Sequence, residues 1–371
     1  MTKKFLDKFR PIFQSSYFGF LQGHSYLNKI QISQIEDILQ TDNNRQIIQE
    51  YEEQFSSLIG SGLGLSFAAG RMAFYSLMKV LNVGEGDEVI LPGHTCSVMP
   101  NAVFRTGATP VFTDIDPDTF GSSPEYIDKQ ITAKTKIIVA QHSFGIPCKI
   151  DEIIDIGKKH NIFVLEDSAI SLDSSLNGVK VGNWGDAAIF STDHSKPLNS
   201  LIGGFLYTKD KELYKKIKLY SENLPQLTKN HQKRLFNQLL FERKYYNLGN
   251  YGSGRLFSTL KRKIPFGIHA YSFLEADYTK APSNENSSYP YPAKLPRFLA
   301  KLGLYELERW DKEKERRTKL LYGFLTLSEE LGIKKYLPAS YFNPRLEIVP
   351  LRFVFTHPDS EVIRKKNVYV C

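Results

Sequence analysis

Between residues 63 and 190, short apolar runs alternate with amphipathic stretches of about ten residues, a pattern that restricts the fold class more than any other feature of the chain. Leu63 to Ala69, Ile162 to Leu165 and Ala187 to Phe190 are apolar runs, and Glu88 to Leu91, Thr109 to Asp114 and Lys136 to Ala140 read as further strands. Between them, Gly70-Arg71 opens a helix whose apolar residues Phe74, Leu77, Met78 and Leu81 recur at helical spacing. Further helices are expected over 96–106 and 151–160. Strands without polar alternation, separated by helices, predict an α/β domain built on a mostly parallel sheet flanked by helices.

Residues 28–60 read as polar helix ahead of this core, and 293–331 as a long charged helical stretch. Leu346 to Thr356 reads as strand. The division expected is a large α/β domain over 1–220, a basic aromatic insertion over 221–290, and a smaller C-terminal domain over 291–371. Lys229 to Lys263 holds nine Lys/Arg and one acid, which contributes much of the net charge of +8. Its interleaved aromatics, among them Phe236, Phe241, Tyr245, Tyr246 and Phe257, suit stacking on bases or a membrane interface. Packing of an amphipathic helix explains them more simply, so no nucleic-acid partner and no stable membrane insertion are expected. No apolar run reaches the ~18 residues of a membrane span, and Met1-Thr2-Lys3-Lys4 leads into no signal-like apolar segment. Three scattered cysteines form neither a disulfide framework nor a metal site, which fits a reducing cytoplasm.

The chemistry-bearing residues cluster at strand ends. Asp167 follows the run Ile162 to Leu165, at the strand end where open α/β sheets bind ligands. Lys196 follows the run ending in Phe190-Ser191 and precedes Gly203-Gly204. A lysine amine that captures an aldehyde, with an acid that keeps a ring nitrogen charged, is what pyridoxal 5'-phosphate (PLP) requires. Gly70-Arg71-Met72 supplies a phosphate cup at a helix start, and the Ser191 hydroxyl a further donor. Taken singly each has a plainer reading: a helix start, an N-cap, a loop lysine, a strand-end serine. The combination, in this order along one α/β unit, carries the assignment.

These residues resemble the DegT/DnrJ/EryC1/StrS family of PLP-dependent sugar aminotransferases. The resemblance is carried by Ala69-Gly70-Arg71-Met72-Ala73, by Gly84-Glu85-Gly86-Asp87-Glu88-Val89-Ile90-Leu91-Pro92 and by Gly107 to Asp116. It continues through Glu166-Asp167-Ser168-Ala169, Gly185 to Ser191, Lys196 and Gly203-Gly204. It implies a fold-type I PLP-dependent transferase and a homodimer. Its activity would move an amino group from glutamate to a nucleotide-linked keto sugar in cell-surface polysaccharide or related sugar biosynthesis. It assigns Lys196 and Asp167 as catalytic, with Lys196 bonded to the cofactor, Asp167 at the pyridine nitrogen and Ser191 at the phosphate. Departures are Arg71 where the family often has a hydroxyl, Cys96 in place of a stacking aromatic, and Ile170 in place of a glutamine. The family's turn toward the neighbouring subunit is reduced to Pro292-Ala293-Lys294, and its C-terminal domain normally runs further. These departures keep a second reading open: a catalytically impaired member that binds PLP or a sugar nucleotide. The intact Lys196 argues against the dehydratase branch, which carries histidine there; His194 lies two residues away.

Overall fold

The computed structural model describes residues 23–41, 46–247, 249–254 and 290–362. The basic segment beyond Gly254, most of the loop from Pro282, and Lys365 to Cys371 lie outside the described residues.

Helices α1 (Lys29–Thr41) and α2 (Gln46–Ile59) lead into strand β1 (Leu63–Phe67). Then come α3 (Gly70–Val80), β2 (Glu88–Pro92), α4 (Val98–Thr106), β3 (Thr109–Thr113), α5 (Pro124–Gln130), β4 (Thr135–Gln141), α6 (Ile150–His160) and β5 (Phe163–Asp167). A hairpin of β6 (Ser175–Leu176) and β7 (Val179–Lys180) precedes β8 (Ala187–Ser191) and β9 (Gly204–Thr208). Helices α7 (Lys211–Glu222), α8 (Lys229–Tyr245), α9 (Arg297–Glu308) and α10 (Trp310–Glu330) follow, with a short β10 (Leu346–Glu347).

Seven strands form one sheet in the order β1-β9-β8-β5-β4-β2-β3. β8, β5, β4, β2 and β3 run parallel, and β9 pairs antiparallel with both β8 and β1. The mostly parallel sheet flanked by helices is therefore present. Strand alternation splits the apolar residues between two cores. Val89, Leu91, Ile137, Val139 and Leu165 join the larger one, where Phe74, Leu77 and Met78 of α3 are fully buried. Each such side chain is worth about 1.5–3 kcal/mol on burial. Ile90, Ile138, Ala140 and Val164 face the other way, onto Ile150 and Ile153 of α6. Burial on both faces explains the absence of polar alternation in these strands.

Two expectations, on the helical stretch 293–331 and on the strand from Leu346, need correction. The stretch 293–331 is two helices, broken at Arg309, where the buried Trp310 donates its indole N–H to Asp173 at 3.1 Å. α9, on the C-terminal side of the expected boundary at 291, packs on α1 and α2 and belongs to the larger core through Phe298, Leu299 and Leu302. Leu346 to Thr356 is strand only at Leu346–Glu347, which pairs with β6. Beyond it, Val349 N–H goes to the Ser174 hydroxyl and Leu351 N–H to Phe144 O, while Pro350 has no N–H to offer a ladder. Of the α8 aromatics, Phe236 is buried against Phe298, with Leu235 and Leu239 in the same core, while Phe241 and Tyr245 are half-buried. No helix among the described residues is long and apolar enough to cross a membrane.

Candidate active site

Four loops at the carboxyl ends of β2, β4, β5 and β8 surround a cavity of about 750 Å³. Gly70, Arg71, Cys96, Asp167, Ser191 and Lys196 all line it, so the structure brings together residues separated by up to 126 positions. Met72 does not line it. Its side chain is fully buried in the core and its N–H donates to Ala69 O at 3.0 Å, because the third residue of a helix already turns its backbone along the axis.

The cup forms where α3 starts against β8 and β9. Ala69 precedes the helix without a side-chain cap, so its first turn presents amides and the positive end of the helix dipole to the cavity. A methyl group on Gly70 would lie 3.8 Å from Ser191 Oγ, which places the serine hydroxyl beside the helix start. Arg71 is buried along the same wall. A helix N-terminus with a hydroxyl and a guanidinium is a phosphate-binding set.

Asp167 ends β5 with its carboxyl in the cavity wall and Ala169 N–H donating to Oδ1 at 3.1 Å. Burial pushes its pKa above the ordinary carboxylate range. The Ala169 N–H, Lys196 and His142 pull it back without overcoming burial. A cation placed against it would favour the charged form. Glu166, its neighbour, points to the opposite face by strand alternation. There it accepts N–H groups from Gly182, Trp184 and Gly185 at 2.7–2.8 Å. It also meets His142 Nε2 at 3.0 Å. Cys148 N–H donates to His142 Nδ1, so Nε2 holds the ring proton and donates to Glu166. The two acids adjacent in sequence thus divide: one secures the backbone, the other faces the cavity.

Lys196 lies half-buried on the loop between β8 and β9. Its charge and that of Asp167 act on one another across the cavity. His194, which sequence reasoning left without a role, also lines the cavity, with Nδ1 2.7 Å from Asp193 Oδ1. Burial opposes charge on both, but the pair offsets it: the imidazole pKa rises and the Asp193 pKa falls, the latter helped by Lys196. His94 lines the wall with its ring 5.8 Å from Phe144, and Gln141 Nε2 holds its carbonyl at 2.9 Å. Ile170 presents an apolar side chain to the cavity. Arg352 reaches it from the C-terminal segment; no sequence pattern pointed to it.

The residues fit PLP: a phosphate cup at one end, a buried carboxylate needing a cation, and a lysine amine between strand ends. A model described as the DegT/DnrJ/EryC1/StrS aminotransferase family matches residues 26–245. GDP-perosamine synthase of Escherichia coli O157:H7 is 34% identical over 207 residues, 56% of this chain and 55% of that protein. The spore coat polysaccharide biosynthesis protein SpsC of Bacillus subtilis (strain 168) is 35% identical over 47% of this chain and 45% of that one. The chain spans about half the length of the curated relatives it matches. Among solved structures, Spr1654 of Streptococcus pneumoniae in its PLP form aligns with a TM-score of 0.68. The alignment covers 94% of this chain and 82% of that one at 20% identity, a likeness of fold.

Proposed function

Because the chain belongs to the DegT/DnrJ/EryC1/StrS aminotransferase family, we propose that it is a PLP-dependent aminotransferase. In this reading it moves an amino group from glutamate to a nucleotide-linked keto sugar, for cell-surface polysaccharide or related sugar biosynthesis, as a cytoplasmic homodimer. The observation that carries the reading is the shared cavity of Lys196, Asp167 and the Gly70–Ser191 cup.

PLP, when bound, supplies an aldehyde that takes up amino groups and a ring that accepts electron density. The chain's residues do the rest. Lys196 would hold the cofactor covalently at rest. Once displaced by the amino donor, its Nζ takes the proton from the donor's α-carbon and later returns one to the carbon of the sugar being aminated. Asp167 keeps a protonated ring nitrogen in place, its own charge favoured by that cation. Ser191, Arg71 and the α3 amides hold the phosphate. Ile189, Phe190 and Ile202 line the cavity and limit water around the reacting groups.

The test is an absorption spectrum of PLP-loaded protein before and after glutamate. A visible band that bleaches on adding glutamate supports the reading. Lys196→Ala is expected to lose turnover by about three orders of magnitude or more, since one side chain serves as anchor and proton carrier. Wild-type turnover in that variant refutes it. Ile170 in the cavity wall favours a second reading, a family member that binds PLP without turnover. Its signature is a visible band that amino donors leave unchanged.

A further inference from the structure

The loop carrying Lys196 runs from Thr192 to Gly203 and closes on itself. Thr192 N–H donates to Gly203 O at 3.0 Å, and His194 N–H to Leu201 O at 3.1 Å. Past Lys196 it turns into the protein: Pro197 to Ile202 are all buried. At the turn stands Asn199, with no exposed surface.

Each polar group of Asn199 is held. Its carbonyl accepts from His24 Nε2 at 2.8 Å, and its N–H donates to Glu306 Oε2 at 3.4 Å. Its Nδ2 donates to Glu242 Oε2 at 3.4 Å, and its Oδ1 accepts from Leu201 N–H at 2.8 Å. Leu201 has φ +70°, a left-handed conformation that leucine adopts only when its surroundings impose it. The Asn199 side chain is thus part of what imposes it, next to the cavity wall.

The residues gripping Asn199 are charged and buried. His24 Nδ1 lies 3.1 Å from Glu242 Oε2, an ion-pair distance, while Nε2 faces the Asn199 carbonyl. Nε2 makes the hydrogen bond, while Nδ1 meets the Glu242 carboxylate at ion-pair distance but outside hydrogen-bond geometry. Burial opposes charge on the imidazole, but Glu242 and Glu306 offset it and raise the pKa above 6.5. Glu306 also accepts from the Tyr26 hydroxyl and pairs with Arg309 Nη1 at 3.3 Å. Gln238 Nε2 donates to Glu242 Oε1 at 2.9 Å. Apolar side chains of the same volume often stabilise a core better than buried ion pairs, so such a cluster is better explained by the geometry it imposes.

We propose that Asn199 is a positioning residue for Lys196, locked by His24, Glu242 and Glu306. The N-terminal segment, α8 and α9 thereby set where the reactive amine stands in the cavity. This rests on the reading of that cavity as a PLP site, and it gives the start of the 221–290 segment a role in the site: holding the lysine loop through Glu242.

The test uses Asn199→Ser and Glu242→Gln, neither of which lines the cavity. In cofactor-free protein, acetylation of Lys196 relative to the exposed Lys216, read by peptide mass spectrometry, is expected to change about threefold or more as the loop loosens. In PLP-loaded protein, the pH titration of the visible band is expected to shift by about half a unit or more. The glutamate half-reaction is expected to slow about tenfold with KM little changed. Lys180→Met, which breaks the ion pair with Asp173, is the control for simple loss of stability and should move none of these. Wild-type labelling and titration in a folded Asn199→Ser overturn the proposal, and that variant decides alone if Glu242→Gln does not fold. A wild-type chain that takes up PLP without a visible band refutes the cofactor reading instead, and the labelling arm then decides on Asn199.

Discussion

A Cβ on Gly204 would stand 2.3 Å from the amide nitrogen of Gly70. The first residue of β9 meets the backbone at the start of α3 more closely than any side chain on residue 204 permits, whereas a Cβ on Gly70 would make only ordinary contacts at 3.5–3.8 Å. Gly204→Ala must push the Ala69–Gly70 turn away from Ser191. The expected result is a loss of about 2 kcal/mol or more in stability. PLP affinity should fall about tenfold or more, since the phosphate donors no longer converge. Denaturant melts and a cofactor titration check the two.

Asp167→Asn separates the cofactor role from an N-cap role. Burial raises the carboxyl pKa, so the folded protein binds this proton more tightly than the unfolded chain does, and ionising it on going to higher pH costs stability. Asparagine keeps the hydrogen bond from Ala169 and removes the charge. The cofactor-free variant is therefore expected to be at least as stable as wild type at pH 8, while PLP binding and turnover fall sharply. Unchanged turnover would return Asp167 to a capping role.

Glu52 should make stability depend on pH in the unusual direction for an acid. It accepts from Ser66 N–H and Oγ, both at 2.7 Å, and burial pushes its pKa from 4.5 up to about 7. Between these values the folded state holds the proton and the unfolded state does not, so stability falls as pH rises through that window and levels off above it. Relative to wild type, Glu52→Gln is expected to gain about 3 kcal/mol at most between pH 4.5 and 8. Chemical denaturation at the two pH values measures it.

Cys96 is exposed in the cavity wall and Cys148 is buried. Iodoacetamide is expected to modify Cys96 and spare Cys148 in the native protein, and PLP should slow the reaction at Cys96 about tenfold or more. Peptide mass spectrometry reads both sites. Equal labelling of Cys96 with and without PLP would place the cofactor elsewhere.

The parallel sheet was legible because burial on both faces leaves a plain mark: unbroken apolar runs such as Val89 to Leu91. Asp167, Ser191 and Lys196 were legible because each sits at or just past such a run. β9 was not, since the Gly203-Gly204 pair that opens it reads as a turn. Met72 was misplaced because the helix start shows which residues lie in the first turn, not which of them turn inward. Arg352 and His194 carried no periodic signal. Their place in the cavity depends on where a loop and the C-terminal segment come to rest.

Local order along the chain settles which strands and helices form and which reactive groups stand at their ends, since periodicity and strand termini are properties of neighbouring residues. How those groups are held is another matter. Asn199 is gripped by His24, 175 positions before it, and by Glu306, 107 positions after it. The partners that neutralise a buried charge are fixed by chain packing in space, and nothing in the residues beside Lys196 announces them.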